Sequence, residues 1–240
     1  MKPLTQLWFL LRVLWSFRFH LLGAAVMLAF WESWAARPFR MFVVLVHETC
    51  HAAASLLTGG EVLEMHTALD ESGHTLSRGG YFPLIASAGY VGSALLGALL
   101  IYTGSRPRLQ RLLLLAVGAA CMGMTMWFTP VGGPDFYLGI IGGLVLVCFA
   151  IKSQRAAIAA ATWMGILLCL YSLYDFRTDL WTHPELTDAG ILARYWGEPL
   201  LAYPIALAWV LLSLTAMYRA MRALVRERMF IEVENSQAMQ

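Results

Sequence analysis

The feature that most constrains the fold of this chain is a series of apolar runs, each about as long as a bilayer is thick. About 20 apolar residues in an α-helix cross the hydrocarbon core of a membrane. Composition agrees, because 59% of the residues are hydrophobic and 13% are charged, against about 45–50% and about 25% in soluble domains. The sequence therefore predicts an integral membrane protein. The runs occupy residues 39–58, 82–103, 112–128, 136–151, 156–174 and 200–218.

The backbone of a membrane span must satisfy its own hydrogen bonds, which favours a bundle of helices. We expect an all-α polytopic bundle of about six or seven transmembrane helices, forming one domain over residues 1–240. The first apolar segment, residues 7–31, is interrupted by Arg12, Arg18 and His20. We interpret it as a retained interfacial helix followed by a short span, because it is too long and too interrupted for a signal peptide.

Charged residues alternate in sign from one connection to the next. By the positive-inside rule, the basic connections are cytoplasmic and the acidic ones face outward. The basic residues form no patch, so we expect no nucleic-acid partner. A bacterial inner membrane is the simplest location. The basic set is Arg37, Arg40, Arg106, Arg108, Arg111, Lys152, Arg155, Arg219, Arg222, Arg226 and Arg228; the acidic set is Glu61, Glu64, Asp70, Glu71, Asp135, Asp175, Asp179, Glu185, Asp188 and Glu198.

The connection between the second and third segments, residues 59–80, has the pattern of a small β-hairpin. Glycine pairs bracket it, and Asp70-Glu71-Ser72-Gly73 is typical of a turn. Residues 62–69 and 75–78 are the candidate strands, and a short irregular loop is the alternative. We interpret His66 and His74 as surface residues, since neither has a partner at a zinc-ligand spacing.

The second apolar run contains three ionisable side chains in the order His47-Glu48-Thr49-Cys50-His51. Residues four apart share a helix face, so His47 and His51 can direct two imidazoles at one point. This H-E-x-x-H spacing predicts a zinc ion bound by both histidines, with Glu48 as general base for a water on the metal. Packing histidines or a proton-carrying glutamate are the alternative. A metal is favoured because each charged group costs about 2.5–3.5 kcal/mol at membrane depth.

The third apolar segment presents a stripe of small residues. Gly89, Ser93 and Gly97 recur every four residues, which allows another helix backbone to approach closely. The small residues that follow His51 make the second segment the best candidate neighbour. Generic packing of membrane helices explains the stripe equally well.

The stretch from His47 to Gly97 resembles the site-2 protease family of intramembrane zinc metallopeptidases, in particular its compact bacterial peptidase-like branch. In that branch a VHExxHAxxxLLTGG helix end leads to a strand-like segment and an AGYxGSAxxG helix. Residues 187–199 are also similar to its SDAxxLAxxxGxP segment. The resemblance implies a zinc-dependent endopeptidase that cleaves membrane-embedded or membrane-proximal substrates. It also implies that His47 and His51 are zinc ligands and Glu48 is the base.

The third zinc ligand is where the sequence departs from the family. Site-2 proteases supply an aspartate from an LDG or NPDG motif, and neither string occurs here. Asp135, Asp175 and Asp188 are the candidates, and topology does not separate them. Resemblance favours Asp188, with Asp175 second. Asp135 or Asp188 has an alternative role as a helix N-cap, and Asp175 as an interfacial charge.

Three functions remain open from the sequence. The first is a zinc endopeptidase that acts on a membrane protein or a membrane-proximal peptide, held extended by pairing with the hairpin edge. On that hypothesis, proline at Val62 or Met65 abolishes cleavage without removing zinc. The second is a catalytically inactive binding or regulatory protein of the same fold. The third, a metal or proton transporter, is disfavoured because the chain shows no paired half-repeats and no second acidic residue at comparable depth.

Overall fold

The structure is a computed structural model that describes the backbone of residues 15, 18–182 and 184–238, and their side chains apart from 20, 172–182 and 228–238. The predicted first segment therefore lies partly outside the described residues. The elements in chain order are α1 (Arg18–Phe30), α2 (Arg37–Leu57), β1 (Glu61–Thr67), β2 (Gly73–Arg78), α3 (Phe82–Ser105), α4 (Pro107–Phe128), α5 (Pro134–Lys152), α6 (Gln154–Thr182), α7 (Asp188–Tyr195) and α8 (Ala202–Ala238).

The described helices form the polytopic bundle that the sequence predicts. Five helical segments within the described residues are long and apolar enough to cross a membrane, and they correspond to α3, α4, α5, α6 and α8. Large apolar side chains such as Leu112, Ile141 and Leu211 are exposed on these helices, as on a surface that faces lipid. The short helix α1 adds an apolar stretch at Leu21–Phe30.

Helix α2, which contains the H-E-x-x-H motif, is the inner member of the bundle. Fourteen of its 21 residues are buried. Val43 to Val46, immediately before His47, are at most 2% exposed. The polar groups of the motif therefore lie inside the protein rather than on its surface.

Helix α3 is continuous but not uniform. Its Ala88–Gly92 portion is a π-helical turn between two α-helical stretches, an irregularity that often occurs at functional sites. A Cβ on Gly97 would lie 2.9 Å from the carbonyl of Gly165 on α6. The predicted close approach of helices is confirmed there, but the neighbour at Gly97 is α6 rather than α2.

The predicted hairpin is present, with β1 and β2 antiparallel and His66 opposite His74. The strands are Glu61–Thr67 and Gly73–Arg78. The Asp70 carboxylate accepts hydrogen bonds from the backbone N–H and the hydroxyl of Ser72, which closes the turn. Glu71 follows Asp70 with φ of 72°. The Glu71 side chain reaches α2, where it pairs with Arg40.

The hairpin lies along α2. At the start of the helix, Arg40 donates to both carboxylate oxygens of Glu71 at 2.6 and 2.5 Å. In its middle, Glu48 accepts a hydrogen bond from Thr75. On the strand β1, Met65 is fully buried.

This placement bears on the assignment of sides by charge. The sequence predicts that the acidic connection 59–80 and the basic Arg40 lie on opposite sides of the membrane. In the structure, Glu71 at the hairpin tip forms an ion pair with Arg40. A charge that pairs within the protein carries no information about the side of the membrane.

Candidate metal centre

Two histidines of α2 form the base of the site. His47 and His51 are both 6% exposed, and their Nε2 atoms lie 3.0 Å apart. One helical turn separates them, as the sequence predicts. Both imidazoles therefore point to the same small volume.

Asp188, on a distant part of the chain, completes the cluster. Its Oδ2 atom lies 3.1 Å from His47 Nε2 and 3.0 Å from His51 Nε2. Asp188 is the first residue of α7, and Thr187 rather than Asp188 caps that helix by accepting a hydrogen bond from Gly190 N–H. The side chain of Asp188 is therefore free of the capping role that the sequence left open.

The charge state of Asp188 suits a metal ligand. Burial opposes its ionisation, but His51 and His47 outweigh that effect and hold the pKa of this carboxyl well below its usual range. The carboxylate is therefore ionised at neutral pH and offers an oxygen lone pair to the cluster.

The ring of His51 is oriented from outside the cluster. Its Nδ1 lies 2.7 Å from the carbonyl oxygen of Ile85. A carbonyl only accepts, so Nδ1 is the protonated nitrogen and, in the neutral imidazole, Nε2 keeps its lone pair. This is the arrangement that metal-binding histidines use to fix their tautomer.

The ring of His47 is held by aromatic neighbours. The ring of Tyr90 lies edge-on at 4.8 Å between centroids, and that of Tyr171 at 6.3 Å. His47 Nδ1 is buried and has no hydrogen-bond partner within the part of the chain that the structure describes. Packing rather than a second hydrogen bond therefore determines its orientation.

The three ligand atoms fit a zinc ion. His47 Nε2, His51 Nε2 and Asp188 Oδ2 lie within 3.1 Å of one another, so a cation placed among them would contact all three atoms. Tetrahedral ligands at zinc bond lengths of about 2.0–2.1 Å are separated by about 3.3–3.4 Å, close to the spacing found. Two imidazoles and a carboxylate are also a donor set that catalytic zinc sites use.

The backbone of α3 leaves the necessary space. A Cβ on Gly89 would lie 2.2 Å from His47 Nε2 and 2.3 Å from His51 Nε2. These distances are close to zinc–nitrogen bond lengths of about 2.0–2.1 Å. Any side chain at this position would fill the space that a metal needs. The glycine of the π-helical turn thus keeps the centre open.

Glu48 lies beside the cluster, and its side chain is held by the hairpin. It is 4% exposed, and its Oε2 accepts a hydrogen bond of 2.7 Å from Thr75 Oγ1. Glu48 directly follows the ligand candidate His47 on α2.

Neither of the other two candidate aspartates has a described ligand atom in the cluster. Asp135, at the start of α5, is 2% exposed, and its Oδ2 contacts Nδ1 of His66 on β1. This contact joins the hairpin to the start of α5. The side chain of Asp175 lies outside the described residues. His74 is exposed, as expected for a surface residue.

Sequence reasoning missed three contributors to the site: Thr75, the Ile85 carbonyl and the exact role of Gly89. A signal existed for Gly89, which belongs to the small-residue stripe. No signal existed for Ile85, because any residue supplies a carbonyl. Thr75 is one of several polar residues in the predicted strand, and the sequence does not show which face of that strand points toward α2.

Comparison with known proteins gives one match. A family model described as Peptidase M50B-like matches residues 20–220. No curated protein and no solved structure matches the chain. The matched residues include α2, the hairpin, α3 and Asp188, and therefore every side chain of the candidate centre.

Proposed function

Because the chain belongs to the Peptidase M50B-like family, that is, to the site-2 proteases, we propose that it is a zinc-dependent endopeptidase. The observation that supports zinc is the convergence of His47, His51 and Asp188 within 3.1 Å. The observation that supports hydrolysis is the buried Glu48 beside them. Substrates are membrane proteins or membrane-proximal peptides, since the centre lies in a bundle of apolar helices. The inner membrane of a bacterium is the proposed location.

The chain's own residues have separate roles in this mechanism. His47, His51 and Asp188 would hold the zinc. When bound, the ion would act as a Lewis acid and would lower the pKa of water at the site to about 7. The carboxylate of Glu48, held by Thr75 at Oε2, accepts a proton from the attacking water and then donates that proton to the leaving amine.

Burial of the site excludes bulk water from these steps. His47, Glu48 and His51 are each at most 6% exposed. In such surroundings, charges interact more strongly than in water. A peptide must therefore be brought into the protein before it is cleaved.

The hairpin offers a means to hold that peptide. The sheet has two strands, and the Met65 carbonyl of β1 is bonded to Thr129 Oγ1 at 2.9 Å. β2 begins beside Glu48 and has a second edge, on which an extended peptide can add a strand. We therefore assign substrate pairing to β2.

Because substrate pairing is assigned to β2, the proline substitutions in β1 are not the best test of that pairing. Val62 and Met65 are 5% and 0% exposed, so proline at either position disrupts core packing as well as the hairpin. A photocrosslinking amino acid at Leu76, which is 53% exposed on β2, tests pairing directly. It should capture a bound model substrate, and the same group at exposed Leu57 of α2 should not. Equal capture at both positions contradicts pairing.

The proposed function is tested with purified protein in liposomes, using unfolded casein and single-span model segments as substrates. The parent should bind one zinc and cleave. Glu48→Gln should keep zinc and lose cleavage by about 10²–10⁴-fold, the range for a general base. His47→Ala should lose both zinc and cleavage. His74→Ala, which changes an exposed histidine, should keep both.

Two results would replace the proposal. A parent that binds zinc but cleaves no substrate indicates the inactive binding or regulatory protein. Flux of a metal or of protons into liposomes without cleavage indicates the transporter.

A further inference from the structure

The hydroxyl of Thr75 contacts the proposed general base from the hairpin. Thr75 Oγ1 lies 2.7 Å from Glu48 Oε2 and 3.2 Å from the Glu48 carbonyl oxygen. A hydroxyl has one hydrogen to donate, and the shorter contact, to a charged oxygen, is the stronger. Thr75 therefore donates to the carboxylate.

The same strand also packs against the carboxylate at Gly73. A Cβ on Gly73 would lie 2.6 Å from Glu48 Oε1 and 2.8 Å from Val44 Cγ1. β2 thus approaches one carboxylate oxygen with a glycine backbone and the other with a hydroxyl. Both oxygens are located by an element other than the helix that carries Glu48.

β2 is held in place by contacts that do not involve Glu48. At the tip, Arg40 donates to both carboxylate oxygens of Glu71. Along β1, Thr129 Oγ1 donates to the Met65 carbonyl. The hairpin is therefore attached at two further places besides the contact of Thr75 with Glu48.

We propose that Thr75 is the positioning residue for Glu48. Its hydroxyl holds Oε2 and thereby fixes the orientation from which the carboxylate takes a proton from the water and later gives it to the leaving amine. A general base must lie within hydrogen-bond reach of the proton that it takes, and a glutamate side chain has several rotatable bonds. The inference rests on the proposed function, because Glu48 needs this orientation only if it transfers a proton.

The test compares three variants with matched changes. Thr75→Val removes the hydroxyl and keeps the branched shape, and Thr75→Ser keeps the hydroxyl. Thr67→Val is the control on β1. Thr67 lies opposite Gly73, is 2% exposed, and its Oγ1 has no hydrogen-bond partner among the described residues.

For Thr75→Val, we expect kcat to fall about 10- to 100-fold, part of the 10²–10⁴-fold that a general base contributes. KM, zinc content and melting temperature should stay at parent values. Thr75→Ser should retain most of the kcat, and Thr67→Val all of it. Casein and single-span model segments in liposomes are the substrates.

An infrared measurement supplies a readout independent of turnover. The carboxylate bands of Glu48 are isolated in protein labelled with ¹³C-glutamate by subtracting the spectrum of Glu48→Gln. The bands should shift in Thr75→Val, because the hydrogen bond to Oε2 is lost. They should keep the parent frequencies in Thr75→Ser, because the hydroxyl is retained.

The outcomes separate this inference from the function on which it rests. If the parent cleaves, and Thr75→Val has parent kcat and unshifted bands, the inference alone is overturned. If Thr67→Val loses as much kcat as Thr75→Val, the effect is structural and the inference is likewise overturned. If the parent binds zinc but cleaves nothing, the proposed function is overturned and the inference with it.

Discussion

At the scale of single residues, the candidate centre depends on groups that orient two of the three ligands from outside the cluster. The Ile85 carbonyl fixes the tautomer of His51, and Thr187 takes the capping role at α7 so that Asp188 can turn to the histidines. These two ligands are therefore oriented before a metal arrives. Preorganised ligands of this kind bind metal tightly because little order is lost on binding.

Replacing Asp188 tests the assignment of the third ligand. Asp188→Asn keeps the size of the side chain and removes its charge. Zinc affinity should fall by more than about 100-fold, beyond the 10–100-fold typical of changes outside the ligand set. Competition with a chromophoric chelator measures it.

Asp135→Asn is the matched control, because it changes a buried aspartate that pairs with His66. It should keep the parent's zinc affinity. Zinc loss in Asp135→Asn, with none in Asp188→Asn, would contradict the assignment.

Gly89→Ala tests the space for the metal. Its Cβ would lie 2.2 Å from His47 Nε2, so we expect purified protein without zinc. Gly92→Ala, in the same turn, places a Cβ 3.2 Å from Cys50 Cβ and should keep its zinc. Zinc contents come from elemental analysis of both variants, and full zinc occupancy in Gly89→Ala would show that the space lies elsewhere.

How much of the site the sequence predicts depends on how local each contact is. The His47 and His51 pair follows from helix periodicity alone. Asp188 lies 141 residues from His47, and only resemblance indicated it. Thr75 and Ile85 depend on how the hairpin and α3 pack on α2, which no local pattern specifies.

At the scale of elements, the hairpin is the part of the fold that departs most from expectation. Its strands and turn follow from glycine positions and turn residues, and the structure has them. Its placement along α2 depends on the pairing of Glu71 with Arg40, whose side chain is 10% exposed. Tertiary contacts of this kind decide where a hairpin lies.

Arg40→Met tests whether this ion pair holds the hairpin tip. Loss of hydrogen bonds to a charged group costs about 1.5–3 kcal/mol, so amide hydrogen exchange in β1 and β2 should accelerate at least tenfold. Arg78→Met is the control, because its pair with Glu61 has side chains 73% and 61% exposed. Exposed pairs contribute about 0–1 kcal/mol. Equal acceleration in both variants would contradict the role of Arg40.

At the scale of the whole molecule, apolar runs predicted the bundle well. The predicted runs from 82–103 onward match α3 to α6 and α8 within a few residues at most ends. Hydropathy succeeds because lipid imposes one requirement on every span. Charge patterns are harder to interpret, because Glu71 of an acidic connection pairs with Arg40 of a basic one.

The position of the hairpin tip gives a prediction about topology. With the four native cysteines replaced by alanine, Trp34→Cys and Asp70→Cys should be labelled from the same side of the membrane by an impermeant maleimide. Trp34 precedes α2, and Asp70 lies at the tip that contacts its start. The alternation of charge predicts opposite sides, and that labelling result would refute the observed packing.

The central claim is that His47, His51 and Asp188 bind one zinc ion. X-ray absorption at the zinc edge of the purified parent tests it most directly. We predict one zinc per chain with nitrogen and oxygen ligands at about 2.0–2.1 Å, and loss of imidazole scattering together with zinc in His51→Ala. A parent without zinc, a zinc bound through cysteine sulfur at about 2.3 Å, or a spectrum unchanged in His51→Ala would contradict the claim.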